Sequence, residues 1–442
     1  MTNAFGERWR TDHRRWRTGH RRWRRASCLA LLAAAGCAGI FQERRPAVTQ
    51  SYAVTVAVHG ALRVGSAERD VTPERVGGYM SGFNLGRTST EVLTHLKVRA
   101  LVVECEGRPF AIVGIDNLGV MREDTDWIKA GIPGFANGDV FLCASHTHAG
   151  PDLIGLWGYY FLSSGRDPEY VGGLRAAIAS AVAEARAGAA PARLVRGEAL
   201  LPPTGLVKNS NHAEVFDRRV TVLQAQALDD GRPLGTLLHM ACHPEVLPRR
   251  NTALSADFVG ELCDQWRARG HGQAVFVNGA LGAMVSPNVQ PRDREGLQKL
   301  GGGVCDLAER ALSGAAEVPI DAVEVRRRDV YLPMRMLGFR LGRMTGALPR
   351  QLYGGAARST VGYLRLGTFE AVALPGEMEP ALAAKLRAES ARPDLVLFGL
   401  CDDEVGYLLR RQDALDPEFA YERSMSPCVD AGELVRGAVT GR

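Results

Sequence analysis

Apolar runs of strand length, bounded by turn residues, recur along this chain and constrain its fold more than any other feature. Val98–Cys105, Phe110–Ile115, Val140–Ala144 and Leu395–Gly399 all read as buried strands. Glu106-Gly107-Arg108-Pro109 joins the first two as a hairpin turn. Asp229-Asp230-Gly231 does the same between Val220–Ala225 and Leu234–Met240, and Gly367-Thr368 between Val361–Leu366 and Phe369–Leu374. Ala274–Val277 is a further strand. Helical spacing marks Gly172–Ala187, Phe258–Arg269, Leu297–Leu312 and Pro380–Ser390, with glycines 301–303 a weak point in the third. Hairpins mixed with crossover helices predict a mixed α/β (α+β) fold of layered mixed sheets with flanking helices. No break in composition divides residues 61–442, which read as a single domain. Residues 37–60 read as a linker with an opening strand.

The net charge of +5 suggests a nucleic-acid partner until it is mapped. Residues 1–36 hold nine Arg against Glu7 and Asp12, a net +7, so the remainder carries −2. The basic excess belongs to a leader with a seven-residue repeat (RWRTDHR, RWRTGHR, RWRRASC). The short apolar run Leu29–Gly36 follows it. A basic segment before such a run is an export signal, and the run is too short to span a membrane. Cys37 follows Ala34-Ala35-Gly36 as in a bacterial lipobox, which makes it a candidate lipid anchor to a membrane surface. The expectation is an exported cell-envelope lipoprotein, or a periplasmic or secreted protein, with no nucleic-acid partner. Cys28 and Cys37 fall at this end; the other seven cysteines are widely spaced without a CxxC pair, as small core residues are.

No Gly-x-Gly-x-x-Gly, Walker A or Gly-x-Ser-x-Gly pattern is present, so nucleotide and serine-elbow readings have no anchor. Histidine is more informative. His146 and His148 follow the strand Val140–Ala144, two residues apart; on an extended segment both would face one way. His243 ends the apolar run Leu237–Cys242, with His239 inside it as a core residue. Imidazoles leaving two separate strands suit a first-row metal as well as a plain polar loop. Glu377 follows Pro375-Gly376, and Tyr407 closes the acidic segment Asp402-Asp403-Glu404-Val405-Gly406.

In this order the segments resemble the neutral/alkaline, non-lysosomal ceramidases. The family's Thr-His-Thr-His-Ser-Gly-Pro, His-Pro, Ser-Pro-Asn and Pro-Gly-Glu motifs and its two tyrosines have counterparts here. These are Ser145–Pro151, His243-Pro244, Ser286-Pro287-Asn288, Pro375-Gly376-Glu377, Tyr407 and Tyr421. Asp70-Val-Thr-Pro73 and Gly78-Tyr79-Met80 resemble its beginning. The resemblance implies a fold built around a central zinc site with His146, His243, Glu377 and Tyr407 as ligands. It implies catalytic roles for His148 and Tyr421, and places Ser286 at the site as a hydroxyl or a turn. It also implies a lipid-like N-acyl substrate. Zinc activates water and polarises a carbonyl, which a poorly electrophilic amide requires. The family's substrate-holding Asn-Arg-Ser stretch corresponds to Lys208-Asn209-Ser210-Asn211, with no Arg in register. Its acidic residue before the Ser-Pro-Asn motif is missing, and its immunoglobulin-like domain has no counterpart after Tyr421. Ceramide, another amide or ester at the same zinc site, and a catalytically silent lipid-binding lipoprotein are the readings to separate. Leu156-Trp157-Gly158-Tyr159-Tyr160-Phe161 is a candidate groove wall or membrane-facing loop, or ordinary core.

Overall fold

Two mixed sheets form the centre of the computed structural model, which describes residues 51–160 and 163–441. The leader, Cys37 and residues up to 50 lie outside the described residues. The larger, nine-stranded sheet runs Ala274–Asn278, Pro233–Met240, Arg219–Ala227, Ala190–Leu200, Leu62–Asp70, Lys97–Cys105, Arg108–Ile115 and Val140–Ala144, with Ala316–Glu317 alongside Ala190–Leu200. The smaller runs Ser51–Ala57, Ala322–Pro333, Ala356–Leu366, Phe369–Ala373 and Val396–Phe398, with Leu352–Tyr353 alongside Ala356–Leu366. Ser51–Ala57 pairs antiparallel with Ala322–Pro333, so the opening strand is part of this sheet.

One strand shows why the layers form. Successive side chains of Lys97–Cys105 point to opposite faces. Leu101 and Val103 enter a core shared with Val323, Val325, Leu364 and Phe369 of the smaller sheet. Val98, Ala100 and Val102 enter another, with Leu174, Ile178 and Val182 of the helix Pro168–Ala187. A strand covered on both faces has no reason to alternate with polar residues, hence its unbroken apolar run. Helices Asp257–Ala268 and Arg294–Ser313 pack against Val222, Leu238 and Phe276 of the larger sheet. Pro380–Glu389 and Ala431–Thr440 pack against Val372 and Leu397 of the smaller one. The layers run helix, sheet, sheet, helix, as the mixture of hairpins and helices predicts.

The three expected hairpins form. In the first, Cys105 pairs with Arg108, so the turn is Glu106-Gly107 alone. Both have positive φ, 48° and 76°, which matches the twist of the flanking strands. Arg108 and Pro109 belong to the strand rather than the turn. The helix expected from Gly172 starts at Pro168, because Asp167 accepts from the Glu169 and Tyr170 amides and Pro168 fits the first turn. The seven described cysteines are buried and free. Among the described residues no helix is long and apolar enough to cross a membrane.

Arg294–Ser313 passes through Gly301–Gly303 without a break. A Cβ on Gly301 would lie 2.7 Å from Glu261 Cβ and 2.9 Å from the Leu262 amide nitrogen, so glycine lets two helices approach closely. At Gly302 the nearest atom is the flexible end of Gln265. Gly301→Ala is expected to destabilise by about 1–3 kcal/mol through overpacking. Gly302→Ala is expected to gain up to about 1 kcal/mol from helix propensity. Urea unfolding of the two variants measures the contrast, and shifts of the same sign would refute it.

Candidate active site

Segments leaving four strands are tied together at one place. The buried Asn278 side chain donates to the carbonyls of Ser145 (2.9 Å) and Cys242 (2.8 Å) and accepts from the Cys242 amide. The Gly399 amide donates to the Asn278 carbonyl, and the Ala144 amide to Leu400. Segments bearing His146, His243 and Tyr407 therefore share one junction. Nothing in the sequence separates Asn278 from any other residue at a strand end.

His146 has φ of +75°, a strained conformation for a residue with a side chain. Its amide is held by the Asn117 carbonyl at 2.8 Å. The segment is thus a turn rather than the extended stretch expected from the two-residue spacing. The imidazoles converge all the same, with the rings of His146 and His148 5.1 Å apart. The ring of His243 lies 5.1 Å from that of His146.

Hydrogen bonds fix the tautomers. Nδ1 of His146 lies 2.7 Å from the Leu118 carbonyl, and Nδ1 of His243 lies 2.8 Å from the Val285 carbonyl. A carbonyl only accepts, so each Nδ1 carries hydrogen and Nε2 is the nitrogen left to face a proton or a metal. His146 Nε2 is 3.5 Å from Glu377 Oε1, and His243 Nε2 is 3.1 Å from Oε2. A carboxylate only accepts, so a positive charge belongs between it and the imidazoles: a proton on His243 Nε2, or a cation bound by the Nε2 atoms in its place. Burial works against charge on His243, yet Glu377 outweighs it and lifts that imidazole above its ordinary value. Burial lowers His146. Burial, then the neighbouring imidazoles and Arg87, hold His148 well below its ordinary value. Both ring nitrogens of His148 are buried without a hydrogen-bond partner. One nitrogen each from His146, His148 and His243 lie within 4.8 Å of one another. Nε2 of His146 and of His243 with the Glu377 carboxylate between them are donors of the kind zinc takes, and His148 is a third nitrogen beside them.

The phenol of Tyr407 also reaches Glu377, and burial and that carboxylate raise it well above its ordinary value. The Tyr421 ring lies 6.2 Å from that of Tyr407, and burial raises its phenol too. The other expected site residues have partners of their own. Ser286 donates to Glu245 Oε1 at 2.7 Å, one residue on from the Val285 carbonyl that holds His243. Asn209 spends its side chain inside its own loop, on the Val215 carbonyl and the amides of Asn211 and His212. Lys208 is exposed.

A pocket joins His146, His148, Glu377, Tyr407 and Tyr421 to an apolar wall of Leu118, Met121, Ile154, Trp157, Met334 and Phe339. Leu156 and Trp157 of the aromatic segment line it, whereas Tyr159 and Tyr160 are exposed and Phe161 lies outside the described residues. A loop unannounced by the sequence backs His148. The Phe83 ring lies 4.6 Å from the imidazole, and Arg87 donates to the His148 carbonyl. A Cβ on Gly82 would come within 2.7 Å of His148 Nδ1.

No family model and no curated protein matches the chain. Solved structures do. The chain is similar to the crystal structure of neutral ceramidase from Pseudomonas aeruginosa, with a TM-score of 0.68 and 18% identity over 86% of this chain and 74% of that one. It is also similar to a ceramidase complexed with C2, with a TM-score of 0.69 and 17% identity over 86% and 75% of the two chains. The fold is that of the neutral ceramidases.

Proposed function

We propose that this chain is an exported zinc-dependent amidohydrolase that cleaves the N-acyl amide bond of ceramide or a related N-acyl lipid. The observation that carries this reading is the convergence of three imidazoles and Glu377 at the polar end of an apolar pocket. The fold shared with neutral ceramidases supports it.

His146, His243, Glu377 and Tyr407 would hold the metal. Zinc supplies Lewis acidity when bound, polarising the scissile carbonyl and water. The neutral His148 accepts a proton from the attacking water and passes it to the departing amine. The Tyr421 phenol, kept protonated by burial, donates to the carbonyl oxygen as charge develops there. The apolar wall takes up the hydrocarbon and excludes water.

Release of fatty acid from a panel of N-acyl amides and esters, with and without prolonged chelation, tests the proposal. Amide hydrolysis that chelation abolishes and zinc restores is expected. Hydrolysis of esters alone would favour a different acyl hydrolase, and zinc binding without turnover would favour a silent lipid-binding protein. Hydrolysis that survives chelation would sink the zinc mechanism. Export and lipidation at Cys37 rest on the leader's sequence, and mass spectrometry of the mature amino terminus decides them. A free amino group upstream of Cys37 in the membrane fraction would refute the anchor.

A further inference from the structure

Two of the seven described thiols face each other. Cys143 lies on the strand that leads to His146, and Cys401 on the segment that leads to Tyr407. The two residues form an isolated antiparallel pair. The Ala144 amide donates to the Leu400 carbonyl at 3.1 Å, and the Asp402 amide donates to the Leu142 carbonyl at 2.7 Å. These bonds flank the pair rather than join it, so Cys143 and Cys401 hold a non-hydrogen-bonded position of the ladder. At such a position the Cα atoms stand about 4.5 Å apart and the side chains share one face. That spacing falls within the range a disulfide spans, about 4.4–6.8 Å. The side chains meet accordingly, with the two thiols in hydrogen-bonding reach of each other. Asp402 fixes the register further, since its Oδ1 accepts from the Leu142 amide at 2.9 Å. Leu400 and Asp402, on either side of Cys401, have φ of +53° and +66°. Left-handed backbone is costly for residues with side chains and persists only where the surroundings hold it.

We infer that Cys143 and Cys401 become joined by a disulfide when the chain folds against a disulfide oxidant. The bond staples the strand that leads to His146 to the segment that leads to Tyr407. An exported chain, as proposed above, meets such an oxidant. One thiolate attacks the oxidant's disulfide, forming a mixed disulfide and releasing one thiol. The second thiolate attacks the mixed disulfide, closing the S–S bond and releasing the other thiol. The two cysteines give up two protons and two electrons, and the oxidant takes them up. Burial, then the Cys143 thiol and Asp402, push the Cys401 thiol well above its ordinary value. Exchange therefore belongs to folding, before the pair is enclosed. Once closed, the bond lies in a core with Phe141, Val277 and Phe398, shielded from thiols in solution. It closes a loop of more than half the chain, and a long loop is where a cross-link restricts the unfolded state most.

The full chain, reduced and unfolded in urea, is refolded in a mixture of oxidised and reduced glutathione, then unfolded again, alkylated with iodoacetamide and digested. Mass spectrometry is expected to find a peptide pair linked through Cys143 and Cys401 that reduction separates. Cys105, Cys242, Cys263, Cys305 and Cys428 should all be alkylated. The bridged chain should unfold at higher urea than the reduced chain, and Cys143→Ala should remove that difference. Alkylation of both Cys143 and Cys401 after oxidative refolding would overturn the inference, as would linkage of either one to another cysteine. Equal urea midpoints for the bridged and reduced chains would refute the staple. The peptide map of the natural chain decides the pairing even if Cys143→Ala fails to fold. Neither readout uses hydrolysis, zinc or the place where the chain resides. Failure of the bridge therefore leaves the amidohydrolase and export readings standing, and their failure leaves the bridge.

Discussion

His243→Ala is expected to abolish stoichiometric zinc binding and to lower kcat/KM on an N-acyl amide by at least about 10³-fold. That corresponds to losing several kcal/mol of transition-state stabilisation from the metal. The geometry makes this residue hard to replace. Its Nδ1 is committed to the Val285 carbonyl, and its Nε2 faces Glu377 at 3.1 Å. Removing the ring takes away a donor and leaves a buried carboxylate facing a gap. His239 supplies the contrast. It lies on the adjoining strand, equally buried, but its Nε2 bonds the Leu397 carbonyl at 2.9 Å, and burial pushes it down to about 4. His239→Ala should keep its zinc and lose about 1–3 kcal/mol of stability from the orphaned carbonyl. Metal analysis, steady-state kinetics and urea unfolding on both variants distinguish the roles. Zinc retained at full stoichiometry in His243→Ala would remove this histidine from the ligand set.

Asp402→Ala should cost about 3–5 kcal/mol, because it strands two buried cations. Asp402 Oδ1 lies 2.5 Å from Lys129 Nζ and accepts from the Leu142 amide at 2.9 Å. Its Oδ2 accepts from Arg327, whose guanidinium lies 3.6 Å over the Phe141 ring. These bonds join the loop bearing Glu404 and Tyr407 to the strand that ends in His146. Even beside Asp402, burial pushes Lys129 down to about 8. Burial also opposes ionisation of Asp402, but Arg327 and Lys129 outweigh it and hold the carboxyl below its usual range. The sign follows from that depressed value. The folded state binds the Asp402 proton more weakly than the unfolded chain, so its contribution is complete above about pH 4 and fades as pH falls further. The stability gap between the natural chain and Asp402→Ala should therefore be full at neutral pH and shrink below about pH 4. Urea unfolding across that range measures it. A gap independent of pH would show that the loss comes from packing rather than from charge.

Legibility varied with the range of the forces involved. Hairpins were readable because a two-residue turn depends on local backbone preference, as at Gly367-Thr368. The start of the first long helix was less so, although the Asp167-Pro168 pair is a capping signal that could have moved it upstream. His146, His148, His243, Glu377 and Tyr407 stood out as residues following strands, whereas their roles, and Tyr421 altogether, came from the family resemblance. Ser286, Asn209 and Lys208 came from the resemblance alone, and the structure shows only where they sit: Ser286 on Glu245, Asn209 within its loop, Lys208 in solvent. A motif records which residues follow a strand, not which way their side chains turn. Asp402 illustrates the converse: beside Asp403 and Glu404 it looks like one more loop acid, and only the fold gives it Lys129 and Arg327.

The sequence by itself determined the elements, their layered packing and the candidates for the site. Apolar periodicity and turn chemistry act within a few residues, and a strand buried on both faces must declare itself in composition. Tertiary structure alone decided which nitrogen of each histidine is free, which acid is paired with which cation, and which apolar residues wall the pocket. Those outcomes depend on partners far away in the chain, such as Leu118 and Val285 for the imidazoles and Lys129 and Arg327 for the acidic loop, and no local pattern encodes them.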